Sequence, residues 1–85
     1  MHTQTVTVGS AVGLHARPAA IISEKVDELG AEITLAVPGG KPVDAASSLL
    51  IMTLGAANGD KVEVTGPDQA AVDTIAALVA QDLDA

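Results

Sequence analysis

Residues 13–19 read Gly13-Leu14-His15-Ala16-Arg17-Pro18-Ala19. Proline fixes φ and lacks an N–H, so Pro18 fits the first turn of a helix and almost nowhere deeper, which places His15 or Ala16 at the N-cap. That first turn leaves backbone N–H groups unpaired, and the helix macrodipole adds partial positive charge. An anion carried on the imidazole of His15 would be stabilised there. Arg17, the only arginine of the chain, adds a permanent cation whose fork matches anionic oxygens. A histidine ahead of a helix is more often a plain surface residue or cap, so spacing alone leaves both readings open.

Outward from this stretch the hydrophobic pattern changes period. Upstream, Thr3 to Val8 alternates polar Thr3, Thr5 and Thr7 with apolar Val6 and Val8, as a half-buried strand does, and Gly9 to Gly13 is a loop. Downstream, Ala19, Ile22, Val26 and Leu29 recur at helical spacing between Ala16 and Leu29, with Ser23, Glu24, Asp27 and Glu28 on the other side. Gly30 supplies a left-handed stop. Glu32 to Val37 alternates again, with Ile33, Leu35 and Val37 on one face. Pro38-Gly39-Gly40 turns the chain into Lys41-Pro42-Val43, a weak edge strand because Pro42 cannot donate to a ladder. Ser47 to Leu54 is a short apolar helix ended by Gly55. Asn58-Gly59 turns into a strand from Asp60 to Thr65, where Val62 and Val64 alternate with polar neighbours. Asp68 caps a last helix whose buried stripe is Val72, Ile75 and Val79, extended by Leu83. The order is β-α-β-β-α-β-α. Strands with one apolar face call for an antiparallel sheet covered by helices on that face and open to water on the other.

Composition narrows the function classes. Eighty-five residues make one domain near the small end of what folds without disulfides or metal. Cysteine is absent, which excludes disulfides and thiolate metal sites. Phe, Tyr and Trp are absent too, so the core is built from Val, Ile, Leu, Met and Ala. Eleven acidic residues against four basic ones give a net charge of −7, which opposes nucleic acid and anionic lipid and leaves proteins or small molecules as partners. The Met1-His2-Thr3-Gln4 start lacks a basic n-region and an apolar h-region, and no apolar run approaches the roughly 20 residues of a membrane span. The expectation is a cytoplasmic protein without membrane insertion. Lys25, Lys41 and Lys61 are scattered, whereas Arg17 stands beside the histidine. His2 lies outside any motif and reads as an exposed residue.

The run from Gly13 to Ala19 closely resembles the active-site segment of the HPr family, the histidine-containing phosphocarriers of the bacterial phosphoenolpyruvate-dependent sugar phosphotransferase system. The resemblance extends over the whole chain, including the serine-bearing second segment and the order of elements. It implies a single domain over residues 1–85 with an α+β open-faced β-sandwich, four antiparallel strands in the order 1-4-2-3 covered on one face by three helices. Pattern alone also allows a ferredoxin-like module. It further implies a carrier, not an autonomous enzyme: His15 accepts a phosphoryl group on its δ nitrogen from phosphorylated Enzyme I and passes it to IIA components of sugar permeases, while Arg17 neutralises charge. Imidazole suits such a role because it titrates near neutrality, leaving a ring nitrogen free to attack. No metal ligand set or cofactor motif accompanies the site in sequence. Position 12 departs from the family, which often has a polar side chain there; this chain has Val12.

Ser47-Ser48-Leu49-Leu50-Ile51-Met52-Thr53-Leu54-Gly55 is hydrophobic on all sides, so it is either wholly buried or presents an apolar face that binds something. With Leu50, Ile51 and Leu54 toward the sheet, Leu49 and Met52 face outward as a docking patch, completed by Ala16, Arg17, Ala20 and Ser48. Through its Met52-Thr53-Leu54-Gly55 run, the resemblance also puts Ser47 at the position phosphorylated by a dedicated kinase in many Gram-positive bacteria, implying an HPr kinase/phosphorylase as a regulatory partner. Ser47 reads equally as a serine N-cap. Within the family the acceptors can belong to the sugar branch or to a nitrogen-type regulatory branch. A binding module without phosphoryl chemistry is the rival of another class. A carrier that presents His15 to successive partners is most simply a monomer.

Overall fold

The computed structural model describes residues 1–83; the last two residues of the expected 1–85 domain lie outside the described residues. The elements follow in the order β1 (His2–Thr7), α1 (Ala16–Leu29), β2 (Thr34–Ala36), β3 (Val43–Asp44), α2 (Ser48–Thr53), β4 (Lys61–Gly66) and α3 (Gln69–Ala80). The strands form one sheet in the order β1-β4-β2-β3 with every neighbouring pair antiparallel. β4 and β2 are the two inner strands, and β4 shows the alternation most plainly. Val62 and Val64 point into the core and are fully buried, while Glu63 and Thr65 face the open side. On that open side Thr3 and Thr65 pair through their hydroxyls at 3.0 Å, and Lys61 donates to Thr7 Oγ1 at 2.7 Å. The edge strand expected at Lys41-Pro42-Val43 is shifted: β3 is Val43–Asp44, and Lys41 and Pro42 lie ahead of it, consistent with a proline that has no N–H to give a ladder.

The helices close the other face. α1 packs against α2 and α3, and α3 lies on β1 and β4. Ile22 and Val26 of α1, Ile51 of α2, and Val72, Ile75 and Val79 of α3 meet Leu35, Val62 and Val64 of the sheet in one aliphatic core. α1 ends at Gly30, whose left-handed backbone donates its N–H to Asp27 O at 3.1 Å. Asp68 caps α3 by accepting from the Ala70 amide at 3.0 Å.

Several local expectations change. β1 ends one residue early, yet Val8 is buried and continues the pairing by donating to Asp60 O at 2.9 Å. Leu29, expected in the buried stripe, is 40% exposed; it is the last residue of α1, directly before the Gly30 stop. Ser23, expected outside, is buried; it satisfies its hydroxyl within the helix by donating to Ala20 O at 3.1 Å. Leu83 lies beyond α3 but still packs on the core.

Candidate functional site at the head of the first helix

His15 is the N-cap of α1. Its backbone is extended, with φ −108° and ψ −156°, and its carbonyl accepts the first helical bond, from the Ala19 amide at 2.9 Å. Its side chain makes no capping hydrogen bond, so the imidazole is not committed to closing the helix. Pro18 sits buried in the first turn. Because Pro18 has no N–H, the donors of that turn are those of Ala16 and Arg17, which have no carbonyl four residues back inside the helix. No acidic residue occupies the turn, and His15, Ala16 and Arg17 are all exposed. Among the described residues the ion pair is Lys25–Glu28 at 3.3 Å, and it does not involve Arg17. An exposed imidazole, open helical donors and an unpaired arginine thus lie at the N-cap and first turn of one helix, an arrangement that can receive an anionic group. A shallow depression of about 410 Å³ lined by Glu32, Thr34 and Asp44 lies past the other end of α1, away from His15.

The loop ahead of His15 is fixed by neighbours distant in sequence. Gly13 has φ +81°, and a Cβ there would approach Ala56 O to 2.5 Å, so the position requires glycine twice over. Leu14, buried in the core, donates its amide to Ala56 O at 2.9 Å. The side-chain amide of Asn58 reaches the carbonyls of Val8, Gly9 and Ser10 at 3.4, 3.3 and 3.2 Å. In sequence Asn58 reads only as a turn residue; its clamp on residues 8–10 has no local signal, since the partners are about fifty positions away.

α2 lies beside this loop. Ser47 is its N-cap and accepts from the Leu50 amide at 3.2 Å. Leu49 is 71% exposed, as expected, but its neighbours exchange places: Leu50 is 42% exposed, whereas Met52 is half-buried against the core. Successive helical residues are 100° apart, so with Ile51 pointing straight inward Leu50 and Met52 fall on opposite flanks, and only the Met52 flank is covered. Ser48 and Ala20 are half-buried, while Val12 is 56% exposed. On α2 the exposed apolar side chains are therefore Leu49 and Leu50, with Met52 half-buried, while Val12 and Ala16 are exposed on either side of His15 along the chain.

A family model described as the phosphorylation site of the HPr component of the phosphotransferase system matches residues 2–81. The chain belongs to the HPr family of phosphocarrier proteins. It is 39% identical over 87 residues to the phosphocarrier protein HPr of Streptomyces coelicolor, spanning 99% of this chain and 94% of that protein. It is 34% identical over 79 residues to the phosphocarrier protein NPr of Escherichia coli K12, spanning 91% of this chain and 86% of that one. An HPr crystal structure from Thermoanaerobacter tengcongensis superposes with a TM-score of 0.87 at 26% identity, covering 100% of this chain and 98% of the other. The 1-4-2-3 sheet under three helices is thus the HPr architecture. HPr proteins are carriers within a phosphotransferase system and not a family of catalytic enzymes. Among the described residues, no helix of this HPr-family chain is long and apolar enough to cross a membrane.

Proposed function

We propose that this protein carries phosphoryl groups in the phosphoenolpyruvate-dependent sugar phosphotransferase system, accepting them on His15 from phosphorylated Enzyme I and passing them to IIA components of sugar permeases. The observation that carries this reading is the uncommitted, exposed imidazole at the N-cap of α1 beside an unpaired Arg17, within a chain of the HPr family. The lone pair of the neutral His15 δ nitrogen attacks phosphorus while the bond to the donor breaks, and the ring keeps its proton on the other nitrogen. The anionic phosphoryl oxygens then meet the Ala16 and Arg17 N–H groups and the Arg17 guanidinium. Reversal toward an acceptor needs no further group on this chain, since partners supply the rest of the stabilisation. Ala16, Leu49 and Leu50, with the half-buried Ala20, Ser48 and Met52 at the edge, form the docking face with Arg17, the protein acts as a cytoplasmic monomer, and residues 1–85 work as one domain. A phosphate on Ser47 would set negative charge beside that face and weaken docking to a phosphorylated donor.

Relatives named NPr stand beside those named HPr, which supports a second reading, a regulatory phosphorelay of the nitrogen type using the same histidine. Transfer from the phosphorylated protein to purified sugar-type and nitrogen-type IIA acceptors distinguishes the two. Faster transfer to sugar-type acceptors is expected; preference for the nitrogen type would replace the first reading by the second.

A further inference from the structure

One buried hydroxyl ties the loop that delivers His15 to the turn following α3. Ser10 is fully buried and, with Ser23, is one of the two buried polar residues among those described. Its Oγ donates to the Gln81 carbonyl at 3.3 Å and accepts the Leu83 amide at 3.1 Å. Its carbonyl works in the opposite direction, accepting the Gly13 amide at 3.0 Å and the Asn58 side-chain amide at 3.2 Å. The neighbouring Gly9 amide donates to Val79 O at 3.1 Å, and a Cβ on Gly9 would collide with the Ala80 carbonyl. The chain of contacts runs from Leu83 through the Ser10 side chain and carbonyl to Gly13, two residues before the histidine.

A buried hydroxyl is costly unless its bonding capacity is met, and here both the donor and the acceptor are used on one distant turn. Ser23 differs in this respect: its hydroxyl closes on Ala20 O and links nothing outside its own helix. We infer that Ser10 is a positioning residue for His15, transmitting the placement of the turn at residues 81–83 to the 10–13 turn and so to the imidazole. Its effect on transfer rests on the proposed carrier role of His15; its effect on loop geometry does not.

The test uses full-length Ser10→Ala, Leu83→Pro, which removes the donor to Ser10 from the other end, and Ser23→Ala as a buried-hydroxyl control. Nuclear magnetic resonance follows the Gly13 and His15 signals, and steady-state phosphorylation by Enzyme I separates kcat from KM at equal fraction folded. In Ser10→Ala and Leu83→Pro the Gly13 and His15 signals move and kcat falls about tenfold, since an ångström-scale misplacement of a reacting group carries a penalty of up to about a hundredfold. KM stays within about twofold because the docking residues are on α1 and α2. Ser23→Ala changes neither. Unmoved Gly13 and His15 signals, unchanged kcat, or an equal loss in Ser23→Ala would overturn the inference. Should Ser10→Ala not fold, Leu83→Pro decides. A wild-type protein that takes no phosphoryl group on His15 overturns the carrier reading, and the resonance comparison alone then decides the coupling.

Discussion

At the scale of single residues, charge placement at the head of α1 governs what His15 can do. Arg17 is exposed and outside the ion pair found among the described residues, so under the proposed carrier role its guanidinium could meet the phosphoryl group without first breaking another contact. Removing one preorganised charge-stabilising donor typically reduces a rate by roughly 10²–10³. Arg17→Ala should therefore slow phosphorylation of His15 about a hundredfold, while urea unfolding changes by no more than about 0.5 kcal/mol, as for exposed sites without structural partners. Gly13 acts through the backbone instead. Gly13→Ala should lower stability by about 1–3 kcal/mol in urea denaturation, because alanine must adopt positive φ and push away Ala56 O. The placement of His15 was legible because Pro18 permits few positions in a helix. The roles of Asn58 and Ser10 were not, because a side chain's bonds to carbonyls fifty or seventy residues away leave no periodic trace.

At the scale of elements, α2 shows where a helical wheel stops being informative. Its boundaries followed from Ser47 and Gly55, and Ile51 and Leu49 fell inward and outward as expected. The flanks at Leu50 and Met52 depend on which neighbour covers which side, a tertiary fact absent from a six-residue pattern. Ser47→Ala removes the cap bond to Leu50 and should cost about 0.5–2 kcal/mol, measured by thermal or urea unfolding. Leu49→Asp puts a charge on an exposed apolar position; KM for Enzyme I should rise at least about fivefold with kcat and stability nearly unchanged, the signature of lost docking energy. A fall in kcat at constant KM would place Leu49 outside the docking face. Leu29 and Ser23 carry the same lesson within α1: the last residue of a stripe can stand exposed at the helix end, and a small hydroxyl can turn inward when its own helix supplies the acceptor.

At the scale of the whole molecule, the sheet separates two surfaces. Helices and His15 occupy one side, while the other presents Thr3, Thr5, Glu63 and Thr65 to water. The hydrophobic pattern called for an antiparallel sheet with one covered face, but it did not choose between the 1-4-2-3 order and a ferredoxin-like one, because strand pairing is set by long-range contacts; the resemblance at Gly13 to Ala19 supplied that choice. If the helical side alone meets partners, Thr5→Lys on the open side should leave transfer rates within about twofold, since exposed substitutions without partners are near neutral. The most direct measurement is the intact mass of the protein after incubation with phosphoenolpyruvate, magnesium and Enzyme I, beside a folded His15→Ala variant. One acid-labile phosphoryl group on the wild type and none on the variant is the predicted result. An unmodified wild type, with an Enzyme I shown to be active on another carrier, or equal modification of the variant, would contradict the assignment of His15 as the carrier site.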